Sequence, residues 1–134
     1  SDSAVAHVDI RITEREQAIP IEQKLEKICA STDVKGTEVE LVGEMNRLPM
    51  EKTARTESLL HVIEKVGEQI GVEVKDTATG GGSDASFTAA MGIATVDGMG
   101  PVGGNAHSEE EYLEIPSLTE RTELLAKTIA ALGE

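Results

Sequence analysis

The chain has 134 residues, a length that favours one domain with at most a small appendage. Its formal net charge of −13 argues against nucleic acid and against anionic membrane surfaces as partners. No apolar run approaches the roughly 18 residues of a membrane span, and no signal peptide is visible. We therefore expect a cytoplasmic protein, with a periplasmic or secreted location left open if a signal lies upstream.

The composition points to an aliphatic core. Hydrophobic residues make up 39% of the chain, but the only aromatic residues are one phenylalanine and one tyrosine, Phe87 and Tyr112. The single cysteine, Cys29, excludes an internal disulfide and a cysteine-based zinc site, and we expect it to be buried and inert. Because the first residue is not methionine and a strand-like pattern begins almost at once, we expect the remainder of a longer protein.

The first 45 residues predict a strand, a helix and a second strand. Apolar residues alternate with polar ones over 4–12, which is typical of a half-buried strand with Arg11 on the wet face. The spacing becomes helical over 18–30, and alternation returns over 37–45. These elements would form half of a small α+β sandwich. From the pattern alone, Arg11 is either a solvated strand charge or a functional residue.

Beyond a proline-containing break at 46–52, the pattern predicts α/β layering. The continuous apolar run 93–96 indicates a central parallel strand covered on both faces. The last helix would begin with a capping box between Ser117 and Glu120 and bury one stripe of side chains. The remaining expected elements are helix 55–70 stopped by Gly71, strand 72–74, helix 84–91 and helix 117–132, with Leu118, Leu125, Ile129 and Leu132 as the buried stripe of that last helix.

A glycine-rich stretch from Thr79 to Tyr112 is the candidate functional region. The loop Gly80-Gly81-Gly82-Ser83 lies between a predicted strand and a predicted helix, so it is either an anion site made of backbone N–H groups or a tight turn. It lacks the lysine and spacing of nucleotide-binding loops. The acidic composition favours a carboxylate over a phosphate as the anion. Asp84 is expected to cap the following helix.

His107 is the candidate metal ligand or proton carrier. It lies beyond the carboxyl end of the predicted strand 93–96, where open α/β sheets place their ligands. The alternative is an ordinary exposed loop histidine. We interpret the neighbouring run Glu109–Glu111 as solvated charge rather than as metal ligands, and His61 as a surface residue because it falls off the apolar line of its helix.

Three ordered segments give a specific resemblance. They are Thr-Gly-Gly-Gly-Ser-Asp-Ala (79–85), Gly-Met-Gly-Pro (98–101) and His-Ser-Glu-Glu-Glu-Tyr (107–112). Together they resemble the C-terminal part of the zinc metallopeptidase family of glutamate carboxypeptidases, aminoacylases, acetylornithine deacetylases and succinyl-diaminopimelate desuccinylases. The folate-cleaving glutamate carboxypeptidases are the most similar type. Upstream, His-Val-Asp-Ile-Arg-Ile (7–12) resembles the family's lid strand, and Asn46-Arg47-Leu48-Pro49 resembles its crossing into the catalytic domain.

The resemblance implies a partial α+β lid, or dimerisation, domain at 1–48 and the C-terminal part of an α/β catalytic domain at 49–134. It implies that His107 is the last ligand of a two-zinc site and that Arg11 binds the substrate's carboxylate. Gly82 and Ser83 would contact the same carboxylate, while Asp84 and Tyr112 would support the loops. The implied activity is hydrolysis of an amide next to a carboxylate, on a small amide or peptide substrate.

The chain departs from the family by lacking its upstream half. The family's His-x-Asp ligand pair, its Glu-Glu pair with the catalytic base and a further acidic ligand have no counterpart here, so no catalytic residue is assigned. We expect the chain alone to be inactive, the missing N-terminal half to be its partner, and a homodimer to form through the lid. The alternative is a non-catalytic binding or dimerisation module of the same fold.

Overall fold

The structure, a computed structural model, describes residues 2–133. Contacts divide the chain into two compact units, one ending at Glu51 and the other beginning at Lys52. Within the described residues the regular structure is mostly helical. The elements are α1 (Ala18–Cys29), α2 (Ala54–Ile70), α3 (Ala85–Ala90) and α4 (Ile115–Leu132), with a 3-10 turn at Arg15–Gln17 and two short strands, β1 (Gly103–Gly104) and β2 (Tyr112–Leu113).

The first unit is built around α1, which confirms the predicted helix. The 3-10 turn before it is closed by Gln17, whose Oε1 accepts the backbone N–H of Thr13 at 3.0 Å and of Glu14 at 3.3 Å. The Glu51 carboxylate accepts the N–H of Arg15 at 2.7 Å, which fixes the same turn. Cys29 is half-buried rather than buried. The small apolar residue at the helix start, Ala18, is the buried residue of α1.

The two strands predicted in the first unit do not form within the described residues. Segments 4–12 and 37–45 have no strand pairing, and their apolar side chains are exposed, with Val8 at 74% and Leu41 at 48%. A strand needs a neighbour for its backbone N–H and C=O groups and a covered face for its apolar side chains. The described chain supplies neither to these segments, so the alternation alone does not produce a sheet.

The second unit has its core between α2 and α4. Ile63 and Val66 of α2 pack with Leu124 of α4, which is 0% exposed, and with Val72. The apolar line that the sequence predicts for this helix is therefore confirmed: Leu59, Ile63, Val66 and Ile70. Local signals fix its ends: the Thr53 hydroxyl accepts the N–H of Thr56 at 3.2 Å, and Gly71 closes the helix with φ of 75°.

Gly67 lets the chain fold back over α2. The N–H of Val72 donates to the Gly67 carbonyl at 2.9 Å, which lays the segment after the helix against this residue. A Cβ at position 67 would lie 2.6 Å from the Val72 carbonyl oxygen and 2.7 Å from Cγ2 of Val74. Glycine normally costs stability inside a helix, but close packing requires it at position 67.

We expect Gly67→Ala to destabilise the second unit by about 1–3 kcal/mol, because backbone must move to admit the methyl group. The gain in helix propensity, roughly 1 kcal/mol, offsets only part of that cost. The measurement is urea unfolding followed by circular dichroism. Gly100→Ala is the matched control, since nothing lies within 4 Å of its added Cβ. An unfolding midpoint for Gly67→Ala equal to that of Gly100→Ala would contradict the packing described here.

Helix α4 begins two residues earlier than predicted. Its N-cap is Glu114, and Pro116 occupies the first turn, where its fixed φ and missing N–H are tolerated. The predicted capping box at Ser117 is therefore wrong. The buried face is also different: Ser117, Leu124 and Thr128 are buried. The predicted stripe lies roughly 90° around the helix from this buried face, at 100° per residue. Its side chains are exposed: Leu118, Leu125, Ile129 and Leu132.

The strand predicted at 93–96 is not assigned in the structure. Ile93 is 54% exposed, Val96 is half-buried against the core, and no strand among residues 2–133 pairs with this segment. The only ladder in that range is the antiparallel pair β1–β2. The mixed helix and strand content agrees with a fragment of an α/β fold in the coarse sense. No helix in the described chain has the length and apolar content to cross a bilayer.

Candidate functional site

The β1–β2 pair forms a hairpin that presents residues 105–111. Gly103 lies opposite Leu113, and Gly104 lies opposite Tyr112. A Cβ on Gly103 would collide with the Tyr112 carbonyl oxygen. A Cβ on Gly104 would lie 2.7 Å from Cε1 of the Tyr112 ring. Both glycines are therefore required by close approach of β2, and Tyr112 supports the loop by covering Gly104.

The loop holds His107 in an uncommon backbone conformation. Asn105 and His107 have φ of 55° and 68°, in the left-handed region that non-glycine residues seldom adopt. The Asn105 carbonyl accepts the hydroxyl of Ser108 at 2.7 Å, and the Asn105 amide donates to the carbonyl of Glu110 at 3.3 Å. The Glu111 carboxylate accepts the His107 N–H at 3.3 Å. The backbone of His107 is thus restrained on both sides while its side chain is exposed.

Ser117 anchors the hairpin to α4. Its hydroxyl donates to the Glu114 carbonyl at 2.6 Å and accepts the N–H of Val102 at 2.8 Å. In addition, the N–H of Glu114 donates to the Val102 carbonyl at 2.9 Å. Ser117 is buried, so these bonds form away from competing water. Sequence reasoning gave Ser117 a capping role and missed this one, because its partner Val102 lies 15 residues upstream.

The glycine loop is held by hydroxyl groups. The Thr79 hydroxyl accepts the N–H of Gly81 at 3.2 Å, and the Ser83 hydroxyl accepts the N–H of Ala85 at 3.1 Å. Asp84 stands at the N-cap position of α3, but its side chain makes no capping hydrogen bond. The predicted capping role of Asp84 is therefore wrong. The hydroxyl of Ser83 instead accepts the backbone N–H of Ala85, the first residue of this helix.

Asp97, which the sequence analysis did not single out, directly follows the segment 93–96. The nearby Ser83 hydroxyl, as the larger cause, and the Gly98 backbone N–H lower the pKa of the Asp97 carboxyl below the usual range for an aspartate. The signal in the sequence was an acidic residue placed directly between the apolar run 93–96 and a glycine. Gly98 has φ of 76°, in the left-handed region that favours glycine.

Arg11 lies in the other unit from Gly82, Ser83 and His107. Its guanidinium pairs with the Asp9 carboxylate, with Nε and Nη2 both 3.2 Å from Oδ2. Both side chains are exposed, so the pair contributes little to stability. The carboxylate-binding role expected for Arg11 stays a prediction.

The residues present do not make up a zinc site. Between residues 2 and 133 there is no group of three or more histidine, cysteine, aspartate or glutamate side chains that could hold a metal ion. His107 has an imidazole of the kind that zinc prefers, but a catalytic zinc takes about three protein ligands. Glu109–Glu111 are exposed. No step at a metal follows from these residues alone.

Comparisons with known proteins agree with the resemblance. Residues 2–131 match the profile of peptidase family M20/M25/M40. Carboxypeptidase G2 of Pseudomonas sp. (strain RS-16) is 34% identical over 70 residues, which are 52% of this chain and 16% of that protein. The match thus spans about a sixth of the relative's length. No solved structure matches the chain at a significant level. Since the family profile covers nearly all of the sequence, the chain belongs to the peptidase family M20/M25/M40.

Proposed function

We propose that this chain is part of a zinc-dependent metallopeptidase or deacylase that hydrolyses an amide next to a carboxylate. The observation that carries the proposal is the presentation of His107, an exposed imidazole on a backbone with φ of 68°. Such a conformation costs energy and persists where the surroundings fix it, often at functional sites. Family membership over 2–131 and the name of the relative, a carboxypeptidase, support the same activity.

In this proposal His107 is the last ligand of a two-zinc site. Arg11 of the lid binds the substrate's carboxylate through its planar fork of N–H donors. The loop at Gly82 and Ser83 contacts the same carboxylate. When bound, zinc supplies an activated water and polarises the scissile carbonyl. The role of this chain is to orient the substrate and to contribute one ligand, and the catalytic glutamate belongs to the upstream polypeptide.

We further propose that residues 1–48 belong to the lid and residues 49–134 to the catalytic domain. The missing N-terminal half of the same protein would then cover the apolar side chains left exposed, which include Leu125 and Ile129 of α4 and Ile93. Leu125 and Ile129 lie one turn apart on α4, and an exposed apolar patch often lies against other polypeptide. A homodimer through the lid would supply strand partners for segments 4–12 and 37–45.

The test uses a longer polypeptide that carries the proposed upstream half. We expect it to hydrolyse an N-acyl-L-glutamate, to lose that activity after treatment with a chelator, and to regain it when zinc is added back. A longer polypeptide that stays inactive with zinc, and whose upstream sequence lacks the acidic and histidine ligands, would contradict the proposal. That result would favour the alternative, a non-catalytic binding or dimerisation module of the same fold.

A further inference from the structure

Beyond the proposed activity, we propose that helix α4 of the chain 1–134 is an interaction surface for a second copy of the chain. The two α4 helices lie parallel and in register, and each covers the exposed apolar stripe of the other. The surface differs from the proposed lid interface, because α4 belongs to the second unit of the chain.

The exposed stripe of α4 follows a seven-residue repeat. Its members recur at alternating intervals of three and four residues, and in a heptad abcdefg that begins at residue 115 they all fall at positions a and d. We call this set the α4 seam. All six of its side chains are exposed: Ile115, Leu118, Thr122, Leu125, Ile129 and Leu132.

The α4 seam is narrower than the face of a helix that covers a broad core. A core-facing helix usually has large apolar residues at the flanking positions e or g as well, whereas a strict a/d stripe is typical of a seam between helices. The e and g positions within α4 carry no large apolar side chain: they are Thr119, Arg121, Ala126 and Thr128. The seam therefore fits one partner helix.

The side-chain types of the seam indicate a parallel pair of identical helices. The a positions hold only β-branched residues and the d positions only leucine: Ile115, Thr122 and Ile129 at a, and Leu118, Leu125 and Leu132 at d. In coiled coils, β-branched residues at a with leucine at d favour two parallel strands. Each seam residue then meets its own copy, so α4 of a second chain supplies a matching partner at every position.

Thr122 is the polar residue of the seam, and its hydroxyl needs no partner from the second chain. The hydroxyl donates to the Leu118 carbonyl of the same helix at 2.7 Å. A polar residue at a single a position costs some stability but specifies the register of a helix pair. The two copies of Thr122 meet only when the helices are parallel and in register.

The charges of α4 leave the seam open to a second acidic chain. With a net charge of −13, two copies repel each other over most of their surfaces. At 100° per residue, the exposed charged residues of α4 lie roughly opposite the seam: Glu120, Glu123 and Lys127. Two copies can therefore meet at the seam without bringing like charges together.

Helix α4 is already held in place before the second copy docks. An isolated helix of 18 residues is marginal in water, but Leu124 on another face of α4 packs against Ile63 and Val66 of α2. Docking therefore does not have to form the helix. Because 18 residues give only about two and a half heptads, fewer than in most coiled coils, we expect a dissociation constant of about 10–100 µM.

The first test is sedimentation equilibrium of the chain 1–134 under reducing conditions, where we expect a monomer–dimer equilibrium. Ile129→Glu brings two carboxylates together in the seam and should raise the dissociation constant at least about tenfold. Ile19→Glu is the matched control, since Ile19 of α1 is 65% exposed and Ile129 is 63% exposed. The control should keep the parent's dissociation constant, and circular dichroism checks that both variants are folded.

The second test establishes the orientation of the helices by disulfide formation with oxidised glutathione. Ile115→Cys and Leu132→Cys are made separately in a Cys29→Ser chain, which removes the native thiol. In a parallel pair each variant crosslinks with itself. In an antiparallel pair the two copies of position 132 lie about 25 Å apart, too far for a disulfide, and only a mixture of the two variants crosslinks.

Three results would overturn the proposal. They are a chain 1–134 that stays monomeric at about 1 mM, a dimer that Ile129→Glu does not weaken, and crosslinking that requires the mixture of cysteine variants. A monomeric chain would assign the seam to another polypeptide, such as the proposed upstream half. None of these results bears on the proposed activity, which is measured separately in the longer polypeptide.

Discussion

Replacement of His107 by alanine is expected to lower kcat/KM of the longer polypeptide by at least about 10²-fold. Changing even the residues that support zinc ligands costs 10–100-fold in metal affinity or activity, and His107 is proposed as a ligand itself. The loss should appear together with a lower zinc content, measured by mass spectrometry of the metal after dialysis. The folded state should be retained, because the His107 side chain is exposed on its loop.

His61→Ala is the matched control for this experiment. Its imidazole is exposed on α2, and its Nδ1 lies 2.7 Å from the Glu57 carbonyl oxygen of the same helix. We expect this variant to keep the parent's zinc content and kcat/KM. Equal zinc content and activity in His107→Ala and His61→Ala would show that His107 is not a zinc ligand.

The second large effect is expected at Arg11. Arg11→Ala should lower kcat/KM by roughly 10²-fold when its contact with the substrate's carboxylate tightens in the transition state, or raise KM strongly when it does not. Arg11→Lys should recover only part of the loss, since an ammonium group keeps the charge but has no planar fork. Steady-state kinetics with N-acyl-L-glutamate give both parameters.

Asp9→Ala provides the control for Arg11. Arg11 pairs with Asp9 in an exposed ion pair, so this control separates loss of that ion pair from loss of the substrate contact in Arg11→Ala. Exposed pairs contribute little, and we expect Asp9→Ala to leave both activity and unfolding midpoint close to those of the parent. Unchanged kinetics in Arg11→Ala would make Arg11 a surface charge only.

The helices could be predicted from sequence because their signals are local. In α2, the repeat of apolar residues and the closing glycine lie within one continuous segment, and the structure places Gly71 in that role. The strands depend on partners elsewhere. The apolar run at 93–96 and the alternation at 4–12 are compatible with strands, but pairing requires neighbours that are not found among residues 2–133.

The same distinction applies to the candidate site. His107 stood out because of its glycine-rich surroundings and the ordered motifs around it. Asp97 did not, because the group that lowers its pKa most, the Ser83 hydroxyl, lies in another segment. The pattern of Ser117 and Glu120 matched a capping box, but the helix starts at Ile115 and Ser117 bonds to Val102 instead. Roles that depend on contacts between segments could not be deduced from spacing.

We propose that this chain contributes one zinc ligand and no catalytic base. The most direct measurement compares the purified chain 1–134 with the longer polypeptide, using calorimetric zinc titration and hydrolysis of N-acyl-L-glutamate. We predict that 1–134 is catalytically silent and binds no pair of zinc ions tightly, because a stable site takes about three protein ligands per ion. The longer polypeptide should bind zinc and hydrolyse the substrate. Hydrolysis by 1–134 with zinc, or tight binding of two zinc ions per chain, would contradict the claim.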